Sequence, residues 1–144
     1  MTNTNNPAPV YHWKDYFKNK TLAGKYVSIY DGDTFRLELP ICCMRFIFSC
    51  RLLGVDTAEI RTKNVEEKAV AVEAKEYVRK LLSENEFEVV CDGLDKYGRV
   101  LCEIVFSSLE KRTLSSFIVE KNYGYRYDGG NKRKFEEWHA NTSL

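Results

Sequence analysis

The sequence has almost no charge excess: 22 lysines and arginines against 21 aspartates and glutamates leave a formal net charge of +1. Bulk electrostatics therefore neither favours nor excludes a nucleic-acid partner, and any such site must come from local patches. There is no CxxC spacing, and the five cysteines (Cys42, Cys43, Cys50, Cys91 and Cys102) are odd in number. That disfavours a disulfide framework and a zinc site alike, while free thiols suit a reducing compartment. No apolar run approaches the roughly 20 residues needed to span a bilayer. The opening MTNTNNPAPV lacks the basic-then-apolar order of a signal peptide. The expectation is a soluble intracellular chain with no membrane partner. No repeat or linker divides the sequence, so the 144 residues are read as one domain around one core.

An apolar fraction of 44% and an aromatic fraction of 13% are ample for that core. Residues 1–10 are Asn-, Thr- and Pro-rich and are expected to be disordered. YHWKDYFKN (11–19) reads as a short helix or a strap, and residues 1–24 together as a partly disordered extension before a domain spanning 25–144. From Lys25 the pattern is β. KYVSIY alternates, DGDT turns, and FRLEL places Phe35, Leu37 and Leu39 on one face with Arg36 and Glu38 on the other. After Pro40, ICCMRFIFSCRLLGV reads as one long strand, with Phe46, Phe48, Cys50 and Leu52 on one face and Arg51 on the other.

Residues 66–82 change period: Val70, Ala74, Tyr77, Val78, Leu81 and Leu82 form a helical stripe. FEVVCDG and RVLCEIVF are strands joined by LDKYG. TLSSFIVEKNYG reads as a second helix with Thr113 as N-cap and Gly124 past its end. Short antiparallel strands with one helix inserted predict an α+β, mainly β fold: a five-stranded OB-fold barrel capped by two or three helices.

The charged residues fall at strand ends. DGDT supplies Asp31 and Asp33; RLLGVDTAE supplies Arg51, Asp56, Thr57 and Glu59; DKYGR supplies Lys96, Tyr97 and Arg99. Converging carboxylates repel unless a cation stands among them, and hard oxygen ligands suit calcium or magnesium better than zinc. Two arginines beside such a group suit an anion, because a guanidinium pairs with phosphate through two parallel hydrogen bonds. Taken singly, each piece has a plainer explanation. DGD and DKYGR are good turn sequences, Arg51 is a solvated strand residue, and Lys132-Arg133-Lys134 is a solvated basic face.

The order VSIYDGDTFRL, RLLGVDTAE, a helix carrying Glu73-Ala74, then DKYGR resembles the staphylococcal (micrococcal) nuclease family, from about Lys25 to about Tyr127. The resemblance implies Asp33, Asp56 and the Thr57 carbonyl as ligands of Ca2+, with Mg2+ or Mn2+ as alternatives. It implies Glu59 acting on the attacking water and Arg51 and Arg99 on the scissile phosphate. Lys96 and Tyr97 would touch a flanking phosphate, and Tyr125 and Tyr127 would pack on a base. The implied activity is metal-dependent endonucleolytic hydrolysis of DNA and RNA with little sequence specificity, leaving 3′-phosphates. Single-stranded or locally unpaired substrate is favoured, and the protein is expected to act as a monomer. A weak or inactive nuclease-like module that binds nucleic acid or protein is the alternative. The proline of the family's DTPE motif is Ala58 here, which is expected to loosen the turn before Glu59.

Overall fold

A computed structural model describes residues 7–10 and 12–140; the expected disorder over residues 1–6 lies outside them. A single 3₁₀ turn, Trp13–Phe17, leads directly into β1, Lys18–Asp31. The strand thus starts seven residues before Lys25, and Phe17, 3% exposed, belongs to the main core. Residues 13–24 are part of the folded unit rather than an extension. The early start escapes periodicity because half of β1 alternates between exposed and only partly covered positions.

β1 serves two neighbours. Residues 18–24 pair with β5 (Phe87–Leu94), and residues 25–31 pair with β2 (Thr34–Ile41). The change of partner falls at Gly24, where a Cβ would lie 2.7 Å from Val89 Cγ2 and 2.8 Å from Phe87 Cε2. Only glycine lets the strand bend this closely over its neighbours. β2 buries Phe35, Leu37 and Leu39 and turns Arg36 outward, as the alternation predicts.

The expected long strand after Pro40 does not exist as one piece. Ile41 closes β2, Cys42-Cys43 form a two-residue turn with Cys42 at φ +56°, and β3 runs Met44–Leu52. The chain then breaks at Leu53-Gly54, with Gly54 at φ +82°, before the short β4, Val55–Thr57. A β-hairpin joined by two residues commonly places its turn residues at positive φ, and cysteine gives no signal of that in the sequence.

β3 pairs with β2 along its length, and its last residues, Cys50, Arg51 and Leu52, also pair in parallel with Val100, Leu101 and Cys102 of β6 (Val100–Phe106). Because β6 pairs with β5 and β5 with β1, the sheet closes as a ring of five strands in the order β1-β2-β3-β6-β5. β7 (Arg112–Thr113) extends the far edge of β6. With three α-helices among the described residues, this barrel-like ring is the mainly β, α+β arrangement of OB type that the sequence predicts.

α1 (Val65–Glu84) caps the ring with Ala71, Ala74, Val78 and Leu82 buried. Its start is set by Asn64, whose Oδ1 accepts from the N–H groups of Glu66 at 3.0 Å and Glu67 at 3.1 Å. α2 (Leu114–Glu120) is capped by Thr113 and buries Leu114 and Ile118. β8 (Gly124–Arg126) pairs with β4, setting Tyr125 opposite Asp56 and Gly124 opposite Thr57. α3 (Phe135–Ala140) covers this two-stranded piece through a second small core of Ala58, Ala71, Tyr125, Phe135 and Trp138. All five cysteines are free thiols, three of them buried. No helix among the described residues is long and apolar enough to cross a membrane.

The β4–β8 contact is close enough to test. A Cβ on Gly124 would sit 2.6 Å from the Asp56 carbonyl oxygen, and backbone cannot give way as a side-chain tip can. Gly124→Ala is expected to cost about 1–3 kcal/mol, the usual range for overpacking, measured as a lower urea midpoint. An unchanged midpoint would show that β4 and β8 are not held this tightly.

Candidate active site

The site lies where the β1–β2 turn, the end of β3, the β4–β8 pair and the β5–β6 turn meet. Gly32 lets the first turn approach: a Cβ there would be 3.2 Å from Thr57 Cγ2. Asp33 is then fixed from three sides. The Asp33 Oδ1 accepts from the Thr34 hydroxyl at 3.0 Å. The Thr57 backbone N–H donates to Asp33 Oδ2 at 3.2 Å. Leu52 N–H donates to the Asp33 carbonyl at 2.9 Å, tying the turn to β3.

Arg51, one residue before Leu52 on the opposite face, reaches both acids of the site. Its Nη1 forms a close ion pair with Asp33 Oδ2, without a well-directed hydrogen bond, and its Nη2 lies 3.6 Å from Asp56 Oδ1. Asp56 is 5% exposed. Its Oδ2 accepts from the Tyr125 hydroxyl at 2.9 Å, and Lys132 Nζ stands 3.5 Å from its Oδ1. The same lysine is 3.8 Å from Glu59 Oε1. Asp33, Arg51, Asp56, Glu59 and Arg99 line one cleft of about 260 Å³, together with Asp31 and Lys132.

Arg99 is held by its own turn. Its Nε donates to Asp95 Oδ2 at 2.7 Å, while Asp95 Oδ1 accepts the N–H groups of Tyr97 at 2.9 Å and Arg99 at 2.8 Å. Lys96 and Tyr97 lie on an adjoining groove of about 1080 Å³, with Arg126, Tyr127 and Arg133. Arg51 and Arg99 line both the cleft and the groove, so the two spaces share their guanidinium wall.

Tyr125 lies elsewhere. It is 7% exposed, its ring packs against Tyr127 and Trp138, and its hydroxyl also accepts the Arg133 N–H at 2.8 Å. The expected base-stacking face is covered, and the residue positions Asp56 instead. The family resemblance gave Tyr125 and Tyr127 one role; Tyr125 is instead buried under α3, while Tyr127 lines the groove. The turn after Thr57 is also firmer than the missing proline suggested. Ala58 is buried and its N–H donates to the Tyr123 carbonyl at 3.1 Å, a bond proline cannot make. The Glu59 N–H donates to Glu67 Oε2 at 3.1 Å.

The electrostatics follow from crowding. Burial, then the neighbouring charge of Asp33, pushes the Asp31 carboxyl up to about 8, so it keeps its proton at neutral pH. Burial also opposes charge on Asp33, but Asp31, Arg51, Thr57 and Thr34 together outweigh it and hold Asp33 below the ordinary carboxylate range. Burial raises Glu59 above its ordinary value, and Lys132 works against that shift. Among the described residues, no three His, Cys, Asp or Glu side chains form a ready metal cage. Two cationic side chains already stand against the acid oxygens.

Two contributors were not singled out from the sequence, and a third was singled out for another part. Lys132 sits in a run that reads as a solvated face, Asp95 in a run that reads as a turn, and Tyr125 was given a different role. The one available signal was the Asp at the first position of DKYGR, a residue type that binds turn N–H groups.

Removing the Tyr125 hydroxyl, which also releases the Arg133 N–H, tests its positioning role. Tyr125→Phe leaves Asp56 Oδ2 without its donor and is expected to cost about 1–3 kcal/mol, the range for an orphaned buried partner, read by urea denaturation. An unchanged stability would show that this bond carries nothing.

A comparison with curated proteins gave no match. The staphylococcal nuclease homologue family model matches residues 49–141, from the end of β3 through α3. That match covers more than half of the chain and includes five of the seven ionic side chains of the cleft; with the OB-type ring around it, the chain belongs to the staphylococcal nuclease homologue family.

Proposed function

We propose that the cleft hydrolyses phosphodiester bonds of DNA and RNA, cutting within the strand with little regard for sequence and leaving 3′-phosphates. The observation that carries this reading is the shared wall: two guanidinium groups, one from the end of β3 and one from the β5–β6 turn, stand between an acidic cleft and a basic groove. A phosphodiester needs both at once, cations for its oxygens and a carboxylate for the attacking water.

A divalent cation fits the donor chemistry. The cleft holds more carboxylates than it can ionise, since Asp31 is protonated beside Asp33. The Thr57 hydroxyl, next to Asp56 on β4, is buried with no hydrogen-bond partner. Asp33, Asp56 and Thr57 are the residues that would hold the ion: Ca2+ by preference, with Mg2+ or Mn2+ as substitutes. When bound, the ion supplies positive charge beside the phosphate.

The protein's own groups do the rest. Arg51 faces Asp33 and Asp56, and its guanidinium exchanges part of that contact for a non-bridging oxygen. Arg99, presented by Asp95, donates from the groove side. Glu59 takes the proton of the attacking water, and its raised pKa makes it a stronger base than an exposed glutamate. Lys96 and Tyr97 meet the next phosphate, and Tyr127 meets a base at the groove edge. An open groove with stackable aromatics favours single-stranded or unpaired substrate. The free thiols support a reducing intracellular setting, with the monomer as the working unit.

Single-stranded DNA incubated with Ca2+, Mg2+ or chelator tests the reading. Hydrolysis is expected with a divalent ion and to cease with chelator. Arg51→Ala and Glu59→Gln should each lower the rate on the order of 10²-fold or more. Hydrolysis that persists through chelator and both substitutions would reject this site. Binding without hydrolysis would favour a nuclease-like binding module.

Lys132 gives an independent check. Its ammonium group competes with a divalent ion for Asp56, so Lys132→Gln is expected to tighten divalent binding by about fivefold, close to 1 kcal/mol, measured by titration calorimetry. Unchanged or weaker affinity would contradict that competition.

A further inference from the structure

On the other side of the β5–β6 turn from the basic groove lies a second concavity of about 270 Å³. Its walls are Trp13, Tyr16, Phe17, Ile41, Phe48 and Leu94. Phe17 explains why the 3₁₀ turn packs on the ring: it is 3% exposed and meets Phe48 edge-on with ring centroids 5.0 Å apart. Trp13 is not needed for that packing, because it stays 65% exposed at the rim. An exposed tryptophan over an apolar slot is a surface awaiting a flat partner.

The charge around the slot narrows what that partner is. Residues 12–20 carry Lys14, Lys18 and Lys20 against one acid, Asp15, which pairs with Lys18 at 3.0 Å. Lys20 Nζ lies 4.5 Å from the Tyr16 ring centroid and Lys14 Nζ 5.8 Å from that of Trp13. Flat π-faces with unpaired ammonium groups over them, each on a flexible stem that can swing to a phosphate, match nucleobases carried on a phosphate chain. An acidic peptide would satisfy the lysines and leave the slot empty.

The slot adjoins the groove across the β5–β6 turn. Leu94 and Gly98 line the slot, while Asp95, Lys96, Tyr97 and Arg99 of the same turn line the groove. Lys96 thus stands on the ridge between the two spaces.

We propose that residues 13–20 form an additional nucleotide subsite, where a base of a single strand leaving the groove over the 95–98 turn stacks on Trp13 and Tyr16 while Lys14 and Lys20 meet its phosphates. This rests on the nucleic-acid reading above and extends the footprint beyond the cleft. It makes affinity depend on strand length.

The test measures binding of labelled oligothymidylates of three and twelve nucleotides by fluorescence anisotropy, with Ca2+ and on the Glu59→Gln background so that the strand stays intact. Trp13→Ala is expected to weaken the twelve-nucleotide strand about tenfold and the trinucleotide less than twofold, with Trp13→Phe restoring most of the difference. Tryptophan emission should be quenched by the longer strand alone, and less so in Trp13→Ala. Equal affinity for both lengths, or equal loss on both in Trp13→Ala, would overturn the subsite. If Arg99→Ala weakens both strands and Trp13→Ala neither, the subsite fails and the nucleic-acid reading stands. If neither strand binds, both fail.

Discussion

The arrangement depends on one constraint: carboxylates packed at the seam of a β-ring must be neutralised from within it. Arg51 does most of this. Its guanidinium spans Asp33, from the β1–β2 turn, and Asp56, from the short β4 strand. These residues are far apart in the chain and brought together only because β3 ends where the ring closes. Asp31 shows what happens without a further cation, since it keeps its proton beside Asp33. A buried acid cluster of this kind adds little to stability on its own. Its geometry makes more sense as a place prepared for charge to arrive.

Around that cluster the fold divides into fixed and adjustable parts. The ring strands, Gly24 and the Asp33 hydrogen bonds set the acids firmly. Asp95 sets Arg99 within its own turn, so its guanidinium is oriented by the protein alone. Lys132 is different. It reaches Asp56 and Glu59 from the segment between β8 and α3, with its side chain 54% exposed. It can withdraw to solvent, which makes it a replaceable counter-ion, whereas Arg51, with its side chain 15% exposed, is held between both acids.

Much of this was legible in the sequence, for physical reasons. Alternation along FRLEL gave the buried face of β2, and the change of period at residue 66 gave α1. The turn residues of DGDT and DKYGR marked where side chains crowd near the backbone. Family membership followed from the order of those motifs and agrees with the match over residues 49–141. The Cys42-Cys43 turn was not legible, because cysteine carries no turn signal and its flanks are β-forming on both sides. Nor was the role of Lys132, since a basic run looks alike whether it meets solvent or an acid across the fold. Tyr125 was read as a base platform from the family resemblance, and one residue's name does not show what packs over it. The loss of proline at position 58 suggested slack, and the gain of an N–H bonded to Tyr123 was not visible from one residue name.

The account's central claim is that Arg51 and Arg99 grip one phosphate while Asp33 and Asp56 hold the ion beside it. A crystal structure of the protein with Ca2+ and a short oligothymidylate addresses this most directly. The account predicts one phosphate between the two guanidinium groups, an ion on Asp33 and Asp56, and Lys132 displaced from Asp56. A phosphate bound elsewhere, with Arg51 still locked onto Asp33 and no ion in the cleft, would contradict it.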